Sequence, residues 1–229
     1  MIITIDGPTA SGKSTIGRIL ANQLGFYYLC SGLLYRAIGY CLVHEYGYTL
    51  ETIAHVSFAN INECAAQLRY EYNERSQERI FYKNNDITLY LKDKFMDQVA
   101  STVSINKDVR KAVTTIQRDV AHHHNIVVDG RDVGSVVFPD AEVKFFLTAS
   151  VEVRAQRWRK DQERHNNYFS LQEAITSITE RDERDKNRTI APLIIPPKAI
   201  VVDNSSLSIE ETIAKMMEHI NDFLPSVRV

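Results

Sequence analysis

The sequence predicts a three-layer α/β fold, with helices covering a central parallel sheet of about five strands. Two observations point there. Short apolar runs rich in β-branched and aromatic residues alternate with longer stretches of helical periodicity, as in parallel sheets whose strands are buried on both faces. The first run is followed at once by Gly7-Pro8-Thr9-Ala10-Ser11-Gly12-Lys13-Ser14, the G-x-x-x-x-G-K-[ST] spacing in the strand, loop and helix context that makes it a phosphate loop.

The strand candidates are Ile2 to Ile5, Phe26 to Leu29, Ile126 to Val128, Val143 to Leu147 and Ala199 to Val202. All are short, apolar and bounded by polar or glycine positions, as buried strands are. Helical periodicity fills the intervals from Lys13 to Leu24, Leu33 to His44, Val109 to Ala121, Val151 to Glu163, Leu171 to Lys186 and Ile209 to Phe223. Ser170 with Glu173, and Ser208 with Glu211, are capping boxes that start the last two. From about residue 60 to 91 the rhythm changes. Leu68 to Tyr72 alternates apolar with charged residues, Ile80 to Tyr82 clusters aromatics, and Lys83-Asn84-Asn85-Asp86 reads as a tight turn before Ile87 to Leu91. A small antiparallel insertion on the α/β core is expected there.

The chain has 229 residues, 44% of them apolar, enough for one large domain with insertions. Its net charge of −2 excludes a general nucleic-acid or membrane-surface binder, which needs a basic field. No apolar run approaches the roughly 20 residues that span a bilayer, and no charged leader precedes the first strand, so a cytoplasmic protein is expected. Cys30, Cys41 and Cys64 include no C-x-x-C pair, which suits reduced structural thiols. No heptad seam is visible, and a monomer is expected.

The loop predicts the first half of the chemistry. Gly7 and Gly12 let successive backbone N–H groups converge on one anion, and the helix behind them adds its positive end. Gly7 through Thr15 would thus hold a nucleotide's phosphates, with Lys13 on the outer ones and the Ser14 hydroxyl on a magnesium ion that keeps several waters. Open α/β sheets bind ligands beyond the C-terminal ends of their strands. There lie Cys30-Ser31-Gly32 with Tyr35-Arg36, then Asp129-Gly130-Arg131-Asp132, then Ser150 and a segment carrying Arg154, Arg157 and Arg159. Asp129 closes its strand as a carboxylate near the magnesium waters.

A second signal is the run Arg181, Arg184, Asp185 and Arg188, spaced i, i+3, i+4 and i+7 on the face that carries Ala174 and Ile178 upstream. An apolar stripe that turns charged midway leaves the core for a cleft. With Arg36 and Arg131 added, the guanidinium groups exceed what one triphosphate needs. Two phosphorylated ligands facing each other across a transferring phosphoryl group do need them. The expected activity is a kinase with an anionic acceptor.

The chain resembles the nucleoside monophosphate kinases, most closely the bacterial cytidylate kinases, over essentially its whole length. The resemblance is carried by Ile3 through Pro8, by Ser31-Gly32 with Tyr35-Arg36, by Asp129 through Gly134 with Val136 through Asp140, and by Glu180-Arg181-Asp182 through Arg184-Asp185, Asn187-Arg188 and Ala191-Pro192-Leu193. It implies a P-loop kinase fold and ATP-dependent, magnesium-assisted phosphorylation of CMP and dCMP. It also implies a single domain, with a core of residues 1–59 and 92–229, an acceptor-binding insertion at about 60–91 and a short helical lid at about 150–168. Arg36, Arg131 and Arg188 would hold the acceptor phosphate. Ser31, Arg110 and Asp132 would read the cytosine edge, Arg181 and Asp185 would take the sugar hydroxyls, and Lys13, Arg131, Arg181 and Arg188 would serve the transfer itself. Arg154 would pack on adenine and Arg157 would meet the donor phosphates. The chain departs from the family in two places: Cys30 stands where an acidic residue is usual, and Leu33-Leu34 replaces a small residue followed by a larger one.

Other patterns lead elsewhere. Asn106-Lys107-Asp108 mimics a guanine-reading motif, but the Asp falls one position early, and Asn106 reads better as a helix cap. Consecutive His122, His123 and His124 diverge around a helix and suit its C-terminal end. Tyr70, Tyr72, Tyr82 and Tyr90 are expected to pack in sheet structure and not to stack on bases. Two rivals stand beside cytidylate phosphorylation: a nucleotide-binding switch without a second small substrate, and a kinase for AMP, UMP or shikimate. Asp132 and Arg110 discriminate among the kinases.

Overall fold

A computed structural model describes residues 1–73, 77–164 and 166–224; residues 74–76 of the expected insertion and 165 of the expected lid lie outside them. The chain runs β1 (Ile2–Asp6), α1 (Lys13–Leu24), β2 (Tyr27–Cys30), α2 (Ser31–Tyr46), α3 (Phe58–Ala66), β3 (Leu68–Tyr72), β4 (Glu78–Tyr82), β5 (Asn85–Asp86), α4 (Lys94–Val103), α5 (Lys107–His123), β6 (Ile126–Gly130), β7 (Val143–Thr148), α6 (Val151–Glu163), α7 (Leu171–Asn187), β8 (Ile200–Asp203) and α8 (Ile209–Asn221). The central sheet has five strands in the order β2-β6-β1-β7-β8, and a second sheet has the order β3-β4-β5. This is the α/β class expected from the alternation of runs. Among the described residues no helix is long and apolar enough to cross a membrane, and none of the three cysteines is in a disulfide.

Contacts divide the chain into two compact units, residues 1–24 with 127–229, and residues 25–126. In the first unit β1 pairs in parallel with β7, Ile3 opposite Val143, and β7 with β8, Phe145 opposite Ile200. Ile3, Ile5, Phe145 and Leu147 are wholly buried. Thr4 and Asp6 on the other face of β1 are wholly buried too, so the strand is covered on both faces although its residues alternate apolar with polar from Ile3 to Asp6. Gly7 leaves β1 with φ 153°, and a Cβ there would lie 2.0 Å from the Leu147 carbonyl oxygen. The loop can begin against β7 only because this residue has no side chain. Helices α6 and α7 pack through Ala155, Ala174 and Ile178, with Trp158, Leu171 and Ile175 at the margin.

The second unit holds the small sheet, and here the structure corrects the reading of residues 60–91. Its first part is helical: Ser57 caps α3 by accepting from the Asn60 N–H at 3.2 Å, and Ile61 and Cys64 form its buried side. β3 and β4 pair antiparallel with Tyr70 opposite Ile80. The turn after β4 is tighter than expected, because Lys83 and Asn84 both have positive φ, 48° and 66°, as a two-residue hairpin loop demands. Asn85 and Asp86 are therefore strand. Ile87 to Leu91 is not, since Thr88–Leu91 forms a 3-10 turn. Asp86 accepts from the Thr88 N–H at 3.0 Å and its hydroxyl at 2.6 Å, a local bond that pulls the chain out of the ladder.

Candidate active site

The phosphate loop is locked from below. Lys13 is buried and donates to the Pro8 carbonyl at 2.6 Å and to Ser11 Oγ at 3.2 Å. Burial pushes its ammonium well below the usual lysine range and Arg131 adds to this, while Asp129, Asp182 and Asp6 act the other way. A cation held so expensively gains most from an anion placed beside it. Arg131 reaches the loop by donating to the Thr9 hydroxyl at 3.3 Å. Arg157 donates to the Ser11 carbonyl at 3.4 Å and to the Asn204 side-chain oxygen at 2.9 Å. Arg154 donates to the Thr9 carbonyl at 2.9 Å and to Asp182 at 2.5 Å.

Beside the loop lies a chain of alternating charges. Arg131 donates to Asp185 at 2.9 Å, Arg188 approaches Asp185 at 3.8 Å, and Arg188 donates to Asp132 at 3.1 Å. All four belong to the expected acceptor set. Neutralising one another in a partly buried place, they hold two guanidinium groups ready at modest desolvation cost. The local route differs from the expected helix face. α7 ends at Asn187, and Arg188 is extended at φ −65°, ψ 140°, fixed by donating to the Ala191 carbonyl at 2.5 Å. The buried row after Ala174 and Ile178 continues to Asp182; Arg181 and Asp185 are half-buried and Arg184 is exposed. A period of 3.6 favours the i+4 step from Ile178 over the i+3 step, which explains the shift.

In the second unit Ser31 is buried as the first residue of α2, directly after β2. Arg36 pairs with Asp97 of α4 and donates to the Leu91 carbonyl at 3.4 Å. Arg110 is buried, donates to the Ser104 carbonyl at 3.1 Å and lies over the Tyr35 ring, 5.5 Å from its centroid. Asn106 caps α5 by accepting from the N–H groups of Asp108 at 2.8 Å and Val109 at 3.2 Å, as expected. α5 ends at His123, and His124 stacks on Tyr27.

Three residues beside the loop have no role in the sequence reading, although Asp6 and Asp182 lie in the motifs it quotes. Asp6 accepts from the Val133 and Gly134 N–H groups at 2.9 and 2.7 Å. This ties the end of β1 to the segment after Asp132, a π-helical turn over Val133–Val137. Burial raises its carboxyl to about 7 despite those two donors. A Cβ on Gly134 would meet Thr4 Oγ1 at 2.6 Å and Asp6 Oδ2 at 3.1 Å, so a glycine is needed for this approach. Asp182, 3% exposed, accepts from the Thr9 N–H at 2.8 Å as well as from Arg154. Asn204, at the end of β8, donates to the Ser11 carbonyl at 3.1 Å and accepts from Arg157. The strand-end rule carried one strand further would have found it.

Ser14 donates to Asp129 at 2.9 Å. A hydroxyl and a carboxylate are hard oxygen donors, and among the described residues no three His, Cys, Asp or Glu side chains gather to hold a metal. That set suits a magnesium ion taking its remaining ligands from water and phosphate.

The model of the family described as cytidylate kinase matches residues 3–222. A cytidylate kinase of Fervidobacterium nodosum is 36% identical over 221 residues, covering 96% of each chain. One of Mycoplasma pneumoniae is 35% identical over 220 residues, covering 94% of each. Among solved structures, an uncharacterized protein from Eubacterium ventriosum is similar with a TM-score of 0.56 at 11% identity, covering 96% of this chain and 98% of that one, a likeness of fold. With the family pattern running almost from end to end, this chain belongs to the cytidylate kinase family.

Proposed function

We propose that this chain transfers the γ-phosphoryl group of ATP to CMP or dCMP, giving ADP and CDP or dCDP. The observation that carries this reading is the run Arg131, Asp185, Arg188 and Asp132 beside a phosphate loop that Arg131 itself touches. The loop and Lys13 bind the donor phosphates. Arg131 and Arg188, with Arg36, hold the acceptor phosphate so that its oxygen lies in line with the γ-phosphorus. Asp132 accepts from the cytosine amino group, the partner a carboxylate suits best, and Ser31 and Arg110 donate to the ring acceptors. Arg181 and Asp185 take the sugar hydroxyls. Ser14, and Asp129 through water, would hold the magnesium ion that neutralises charge between the β- and γ-phosphates.

The transfer needs positioning and charge more than covalent help. Lys13, Arg131, Arg181 and Arg188 spread positive charge around the moving phosphoryl group, while Arg154 and Arg157, on the segment read as a lid over residues 150–168, cover the donor and exclude water. Incubation with ATP, magnesium and CMP tests this by product analysis. CDP should form mole for mole with ADP. ADP release that is the same with and without CMP would mean hydrolysis and overturn it.

A further inference from the structure

β2 passes into α2 without a connecting residue, Cys30 ending the strand and Ser31 opening the helix. Cys30 is the N-cap, with φ −92° and ψ 104°, and its side chain makes no capping hydrogen bond. The junction is held instead from β3. The Tyr70 hydroxyl accepts from the Cys30 N–H at 3.2 Å and donates to the Tyr28 carbonyl at 3.0 Å. Residues i and i+2 of a strand present these groups to the same side, so one hydroxyl spans both. The arrangement is reciprocal, because the Tyr27 hydroxyl donates to the Tyr70 carbonyl at 3.4 Å and accepts from the Tyr72 N–H at 2.5 Å. β2 and β3 belong to different sheets, and these two hydroxyls bridge them where a backbone ladder would otherwise be needed. Tyr70 is buried, on the inward side of β3.

We propose that Tyr70 is a positioning residue for the acceptor, its hydroxyl fixing the β2–α2 junction from which Ser31 and Arg36 are set. This rests on the reading of Ser31 and Arg36 as acceptor-binding residues. The two tyrosines then differ in role. Tyr70 ends on the amide next to Ser31, whereas Tyr27 ends on β3, away from the junction.

The test compares Tyr70→Phe, Tyr27→Phe and Tyr70→Phe with Cys30→Asp, measuring KM for CMP and for ATP, kcat and the unfolding midpoint. Tyr70→Phe should raise KM for CMP about fivefold, the scale of one or two lost hydrogen bonds, with kcat and KM for ATP within about a factor of two. Tyr27→Phe should lower the midpoint but leave KM for CMP within about a factor of two. Adding Cys30→Asp to Tyr70→Phe should bring KM for CMP back toward wild type, because Asp caps α2 from its own side chain. Equal changes in KM from both tyrosine variants, or none from Tyr70→Phe, would reduce the hydroxyl to a structural tie and overturn the proposal. So would a folded double variant whose KM stays raised, and this variant carries the test if Tyr70→Phe alone is too unstable to assay. A wild-type chain that phosphorylates no CMP would overturn the reading of the reaction; wild-type turnover with an unmoved Tyr70→Phe would overturn this inference alone.

Discussion

Arg188 donates to Asp132 at 3.1 Å, joining side chains 56 residues apart in the chain. Under the proposed reading one is the partner of an acceptor phosphate and the other of a cytosine amino group, so each end of the acceptor would compete for one member of the pair. An acceptor offering only one of those groups leaves the other member's charge poorly matched, which sharpens selection.

Asp132→Ala should therefore lower kcat/KM for CMP by about 100-fold, while KM for ATP stays within about a factor of two. The fold should survive, because Arg188 keeps the Ala191 carbonyl and Asp185 as neighbours. Steady-state kinetics with each substrate varied in turn checks this. Parallel loss of ATP affinity would assign Asp132 a structural role.

Asp182 holds Arg154 and the Thr9 N–H together beside the phosphate loop. Asp182→Ala leaves the part-buried Arg154 guanidinium without its carboxylate, and urea unfolding should show a loss of about 3 kcal/mol. Removing both charges, as Arg154→Met with Asp182→Leu, should cost less than the single change. A double variant less stable than Asp182→Ala would contradict the idea that the orphaned charge sets the penalty.

Lys13→Met should lower kcat by about 100- to 1000-fold, the scale of one lost transition-state donor. In the absence of nucleotide it should unfold at a higher temperature than wild type, since the folded state disfavours the charged ammonium at neutral pH. Scanning calorimetry with and without ATP checks this, and the stability gap should narrow when ATP is added.

Asp6 gives a pH signature. The folded chain keeps its proton to about pH 7, while an unfolded Asp loses it near pH 4. Folding takes up a proton in between, so the stability contributed by Asp6 is fully present below about pH 4 and is lost as pH rises to about 7. Asp6→Asn does not titrate. Its unfolding free energy relative to wild type should improve by on the order of 4 kcal/mol from pH 4 to 8. A difference independent of pH would mean that the Val133 and Gly134 N–H groups keep Asp6 ionised throughout.

Periodicity and local chemistry made much of this molecule legible. α1 and α6 start and end where the pattern put them, and the boxes at Ser170 and Ser208 cap α7 and α8 with both bonds formed. The short helices α3 and α4 stayed hidden because nine or ten residues give too few turns for a periodic signal to stand out. The loop, and Arg131 and Asp132 after β6, were singled out by their positions at strand ends, and Asp185 and Arg188 by their spacing, although Arg188 lies past the end of α7. Asp6 and Asp182 were not assigned, because a buried carboxylate announces itself only through partners distant in sequence, 127 and 173 residues away in these cases.

The most direct measurement is kcat/KM over a panel of acceptors with ATP as donor. CMP and dCMP should exceed UMP, AMP, GMP and shikimate by at least about tenfold, because under the proposed reading Asp132 would accept from an amino group that uracil and shikimate lack, while Ser31 and Arg110 would donate to ring acceptors in the arrangement that cytosine presents. AMP or UMP phosphorylated as well as CMP, or better, would contradict the assignment.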